Sequence, residues 1–264
     1  MKRPLARLLS LGALTVTSFL GAGNIALGAV HPMVADMKAP AFSTHPKLLG
    51  YELLVQSAQT GCPSEDRIDQ LVSATTPNLT ADEPIEMFLL PPLVRFIYQF
   101  PQCFSDRQIE EIKSHLTSSR QRLFAHGTIN HAALRATSWY LLAQKFPDAI
   151  WTDWDGSKHS SADVMRNLKA KMIARTNGFY QQGHYELMSP TYSLVNLYPY
   201  LNLYDFAKDP QVKGLADAQA NLEVAALLAN SFQGVILPPL TRKNYDQRNA
   251  SNPREKYSPS VAQA

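Results

Sequence analysis

Three short runs concentrate the side chains able to move protons. They are Gly127-Thr128-Ile129-Asn130-His131, His184-Tyr185-Glu186 and Ser189-Pro190-Thr191-Tyr192. Together they supply an amide, two imidazoles and two phenols. That set suits removal of a carbon-bound proton next to a carboxylate: the amide steadies the developing charge, an imidazole takes the proton and a phenol returns one. Arg242, with Tyr245 close by, adds a guanidinium fork that can neutralise a carboxylate. Trp139, Trp151 and Trp154 are candidate stacking surfaces for sugar rings, although the spacing of Trp139 also suits a helix core.

Each run has an ordinary reading beside the chemical one. Thr128 and Asn130 are common helix-start residues, and His131 would then be a solvated histidine. Tyr185 and Tyr192 could be packing aromatics with wetted hydroxyls, and Tyr198, Tyr200 and Tyr204 read as packing or groove aromatics. Other chemistries have less support. The chain has no GxSxG elbow, no Gly-rich phosphate loop and no CxxC spacing, and Glu186 with Asp205 makes a weak hydrolase pair. No metal or organic cofactor is implied. Cys62 and Cys103 could pair in an oxidising compartment.

The elements that must position these groups read as helices. Helical patterns cover about 47–59, 64–74, 84–99, 105–124, 129–146, 160–175, 191–207 and 211–231. Ser105 with Gln108 forms a capping box, and Ile109, Ile112, Leu116 and Leu123 fall on one face behind it. Ser160 and Asp163 repeat that grammar. Pro91-Pro92 predicts a break within 84–99. Thr128 is expected to cap the next helix, placing Asn130 and His131 in its first turn, where backbone donors attract carboxylates. Strand alternation is scarce. The expected fold is all-α, built from antiparallel helical hairpins.

The amino terminus carries the grammar of an export signal: Lys2, Arg3 and Arg7, an apolar run over 8–20 and small residues before Ala29. The expected organisation is a signal over 1–28, a linker over 29–44, the helical domain over 45–235 and an irregular tail over 236–264. The protein is expected to be secreted or periplasmic, with no membrane span after signal removal. The chain holds 25 basic and 22 acidic residues, and its pI of 8.8 partly reflects the three bases of that signal. Without them the charge is balanced, which argues against a nucleic-acid partner.

The motifs also resemble those of a known group. Gly-Thr-x-Asn-His at 127–131, Ser-Pro-Thr-Tyr at 189–192 with Glu186 before it, and Leu203-Tyr204-Asp205-Phe206-Ala207 resemble exported proteins of the alginate-lyase and heparinase-like superfamily. The resemblance spans about 120–245 and implies an (α/α) toroid, here a partial one. The order Asn130, His184, Tyr192, Arg242 is similar to the Asn, His, Tyr, Arg series of chondroitin and hyaluronan lyases. Asn130-His131 with Tyr185 or Tyr192 resembles the alginate-lyase and heparinase pattern instead, and both assignments stay open.

The implied reaction is β-elimination at a uronic acid in an acidic polysaccharide or oligosaccharide. Asn130 and Arg242 would bind the carboxylate, His131 or His184 would take the C5 proton, and Tyr192 or Tyr185 would protonate the leaving oxygen. Glu186, Tyr245 and Trp139 would contact substrate. Two departures stand out. Ile129 occupies a position where related sequences usually carry an acid, and the chain is shorter than complete relatives, as a truncated member would be. The alternative expectation is a non-catalytic carbohydrate-binding or degenerate helical domain.

Overall fold

A computed structural model describes residues 46–80, 85–124, 127–183, 186, 189, 192–232 and 235–236. The helices fall where apolar periodicity and caps coincide. They are α1 (Pro46–Thr60), α2 (Glu65–Ala74), α3 (Leu90–Gln99), α4 (Asp106–Thr117), α5 (Ile129–Lys145), α6 (Ser161–Gln182), α7 (Tyr192–Phe206) and α8 (Pro210–Ala229). The capping box of α4 forms as expected: the Gln108 N–H donates to Ser105 Oγ, and the Ser105 N–H donates to Gln108 Oε1 at 2.9 Å. Ser160 caps α6 through the Asp163 N–H at 3.2 Å. Asp209 caps α8 through the Gln211 N–H at 2.8 Å, with Pro210 at the first helical position.

Three boundaries differ from the sequence expectation. Pro91 and Pro92 do not interrupt a helix; they lie in the first turn of α3. Their missing N–H groups are among those a first turn leaves unbonded in any case. α4 stops at Thr117, so Leu123 is buried from a loop and not from a helix face. α6 runs on to Gln182 and ends at Gly183, whose φ of 68° suits a residue without a Cβ.

The core is continuous from Leu53 of α1 through Phe96 of α3, Ile112 of α4 and Leu141 of α5 to Leu168 of α6, Leu203 of α7 and Ala216 of α8. α5 is its axis. It is buried around most of its surface and packs against α3, α6 and α7, while α7 packs on α8 across a short loop. Arg95 clamps α3 to α7, donating from Nε to Asn202 at 2.8 Å and from Nη2 to Asp205 at 2.5 Å. Asp205 is therefore committed to an ion pair and forms no hydrolase pair with Glu186. Cys62 and Cys103 form a disulfide that ties the α1–α2 turn to the 3-10 turn Pro101–Cys103.

A small sheet adds to the helical plan. β1 (Arg120–Gln121) pairs in parallel with β2 (Ile150–Asp153), which pairs antiparallel with β3 (Lys158–Ser160). Trp151 anchors β2: it is fully buried, its indole N–H donates to Ser161 Oγ at 2.8 Å, and its ring meets Trp139 edge-on at 5.7 Å. A second two-stranded pair, β4 (Ser231–Phe232) and β5 (Val235–Ile236), follows α8. The tail expected over 236–264 lies outside the described residues beyond Ile236. No helix among the described residues is long and apolar enough to cross a membrane.

Candidate functional site

The start of α5 is where the sequence motifs meet. Thr128 occupies the cap position with extended backbone, but its hydroxyl makes no cap bond to the helix; it donates to Asn130 Oδ1. The exposed helix-start donor is taken by the chain itself. The Asn130 N–H donates to Glu186 Oε2 at 2.8 Å, and Asn196 Nδ2 of α7 donates to the same oxygen at 3.4 Å. Both Asn130 and Glu186 are 0 % exposed. The carboxylate expected at this helix start is thus an internal one, held by the partial positive charge of the α5 terminus.

From Glu186 the chain turns directly into α7. The Ser189 N–H donates to Glu186 O at 3.0 Å, and the Tyr192 N–H donates to Ser189 Oγ at 3.1 Å. Asn130, Glu186 and Asn196 of α7 therefore meet at one point. Tyr192 itself is half-buried. His131 is half-buried too, edge-on to Phe88 at 5.7 Å. Trp139, expected among the substrate contacts, is a core residue at 2 % exposure, so stacking on a sugar would require opening the interior. Glu186, expected to touch substrate, is equally inaccessible because its carboxylate serves α5 and α7. His184, Tyr185, Arg242 and Tyr245 lie outside the described residues.

The adjacent concavity is a cleft of about 690 Å³ between α5 and α6, closed at its base by Tyr200 of α7. Ile129, Ala132 and Ala136 of α5 and Leu168, Met172 and Phe179 of α6 make its apolar walls. Among the described residues three bases line it, Arg135, Lys171 and Arg175, and no Asp or Glu does. Lys171 donates to Phe124 O at 2.8 Å, and Arg175 donates to Ile129 O while its guanidinium lies 5.1 Å from the Phe179 ring. These contacts hold the loop before α5 against α6. The Tyr200 phenol is pushed up by burial, an effect the Arg175 charge opposes, and it stays protonated at the cleft base.

Gly127 forms the rim. A Cβ there would stand 3.2 Å from Arg135 Nη1 and 3.4 Å from His131 Cβ, so the missing side chain lets both approach. The role of this glycine is therefore space. Asn130, Tyr192 and Trp139 do not line the cleft. Arg135, Lys171 and Arg175 were not singled out from sequence. One signal was available: Lys171 and Arg175 are like charges four residues apart, an arrangement that costs a helix a few tenths of a kcal/mol, on the face that also carries Leu168 and Met172. Among the described residues no three His, Cys, Asp or Glu converge to hold a metal ion. The chain matches no protein-family model, no curated protein and no solved structure.

Proposed function

We propose that this protein is an exported polysaccharide lyase whose helical hairpins belong to an (α/α) toroid and whose α5–α6 cleft binds uronic-acid residues of an acidic polysaccharide. The cleft charge carries this reading. Among the described residues, two guanidinium groups and an ammonium line a largely apolar hollow to which no Asp or Glu contributes. Ile129, where the resemblance leads one to expect an acidic residue, is part of that lining and brings no charge of its own to it. A carboxylate is the natural occupant, since Arg forks bind it bidentately.

In this reading Arg135 and Arg175 neutralise the uronate and lower the cost of charge at C5. His131, beside the Gly127 rim of the cleft, removes the C5 proton. The electron pair forms the C4–C5 double bond as the C4–O bond breaks, and the departing oxygen takes a proton from a tyrosine phenol. Asn130 is given a supporting role, because its N–H and Oδ1 are already engaged.

That engagement also favours a second reading, in which the cleft holds acidic glycans without cleaving them. Incubation with hyaluronan, heparan sulfate and alginate, followed by the ultraviolet absorbance of the unsaturated product, separates the two. A lyase produces the absorbance and loses it by a factor of about 10² or more in His131→Ala. Binding without product supports the second reading, and absence of both rejects the acidic-glycan assignment.

A further inference from the structure

The three-stranded sheet has two faces of opposite character. Strand alternation and register sort its side chains between them. Gln121 and Trp151 turn inward and are buried. Arg120, Thr152 and Lys158 stand in one row on the outer face, because Arg120 pairs with Thr152 and Thr152 with Lys158. Ile150 lies two positions before Thr152 and Trp154 two positions after it, and they are 53 % and 43 % exposed. The Arg122 guanidinium lies 4.5 Å from the Trp154 ring. Arg120 reaches the same turn: a Cβ on Gly156 would stand 3.5 Å from Arg120 Nη2. The acids of the hairpin belong elsewhere. Asp153 and Asp155 line a hollow with His159, the cross-strand partner of the inward Trp151. The outer face therefore combines three bases with an exposed isoleucine and an exposed indole. Bases on edge strands are an ordinary guard against edge pairing. That accounts for Arg120 and Lys158, but not for two large apolar side chains left in solvent on β2 and its turn.

We propose that this outer face docks on an anionic phospholipid surface, with Trp154 and Ile150 entering the headgroup boundary and Arg120, Arg122 and Lys158 meeting the lipid phosphates. Each part has a physical reason. An indole has an apolar body and a polar N–H, and it settles at the level of the headgroups. A base held near an anionic leaflet is attracted to it, with an effect that falls off within a Debye length. Arg122, stacked on the Trp154 ring, carries a cation to the same depth as the indole, where phosphates lie. A soluble acidic polymer would engage the bases and leave Ile150 without an apolar partner, so the lipid surface fits the whole face. The inference does not depend on what the α5–α6 cleft binds.

The burial of Trp139 and Trp151 makes a specific test possible, because a quencher in the acyl chains reaches only Trp154. The full chain is titrated with vesicles whose acyl chains carry bromine, made either of mixed phosphatidylglycerol and phosphatidylcholine or of phosphatidylcholine alone. Quenching reports contact at Trp154, so attachment through the apolar run over 8–20 does not imitate it. The mixed vesicles are expected to quench and blue-shift the emission, and high salt to weaken the effect. Phosphatidylcholine alone should require about tenfold more lipid. Trp154→Phe should abolish the quenching. Arg120→Gln with Lys158→Gln should raise the lipid needed about tenfold or more without moving the thermal melt. Ile150→Thr, which changes no charge, should raise it about threefold. Absence of quenching by the mixed vesicles, equal quenching by the two vesicle types, or a double variant that matches wild type overturns the inference. Binding of soluble heparin that depends on Arg120 and Lys158, with Trp154 unquenched by vesicles, would assign the face to an acidic polymer and equally overturn it.

Discussion

Two sides of α5 treat charge in opposite ways. On one, Asn130 and Glu186 are sealed together with Asn196, and the protein's own carboxylate satisfies the helix start. On the other, Ile129, Ala132 and Ala136 face an open cleft lined, among the described residues, by Arg135, Lys171 and Arg175 and by no Asp or Glu. The helix terminus is the obvious anion site in the sequence, yet it is internally occupied. In the proposed reading, side chains projecting from the barrels of α5 and α6 attract the acid instead. A helix start can thus serve as a structural joint, and the anion-seeking surface has to be sought one face away.

This contrast can be broken most forcefully on the sealed side. Trp139→Ala removes a buried ring packed on Trp151 and should cost about 3–5 kcal/mol. Denaturant unfolding measures it, and a loss below about 1 kcal/mol would mean that the face is not sealed. Glu186→Ala should cost about 2–3 kcal/mol, because it strands the buried Asn130 N–H and Asn196 amide. Glu186→Gln, which keeps an acceptor, should recover part of that loss in the same assay.

On the open side the signs reverse. Arg175→Ala should weaken glucuronate binding about tenfold, the scale of one charge-assisted hydrogen bond, while changing stability by less than about 1 kcal/mol. Titration calorimetry with parallel thermal melts gives both readings, and a stability loss without a binding loss would assign Arg175 to the fold. The smallest effect lies farther off, at the cap of α8. Hydrogen bonds from Lys169 and from the α8 backbone hold the Asp209 carboxyl below its usual range. Its contribution is therefore present above about pH 4 and is lost as pH falls further through the folded-state value. Melting curves of Asp209→Asn between neutral and acid pH should converge on wild type at the acid end; a constant offset would sink this assignment.

Much of the helical plan was legible before any coordinates. Ser105 with Gln108, and Ser160 with Asp163, are local devices whose partners lie three residues away, so the sequence carries them whole. Pro91 and Pro92 misled because proline is excluded from a helix interior but welcome in a first turn, and local sequence does not say which applies. The sheet was missed because β2 and β3 are short and rest on Trp151, whose burial depends on Trp139 and Ser161. Of the candidate site, the place of Asn130 and Tyr192 at helix starts followed from the sequence. The burial of Glu186 and Trp139 did not, since accessibility depends on what packs over a residue.

By itself, then, the sequence determined most of the helical plan, the caps at Ser105 and Ser160 and the availability of two cysteines. These follow from dihedral preference, periodicity and hydrogen bonds spanning a few positions. Only the tertiary structure decided that Glu186 occupies the helix start, that Trp154 alone of the three indoles is exposed, and that Arg135, Lys171 and Arg175 share one hollow. The reason is physical: desolvation and charge pairing are properties of what surrounds a group in space, and here those surroundings come from helices far apart along the chain.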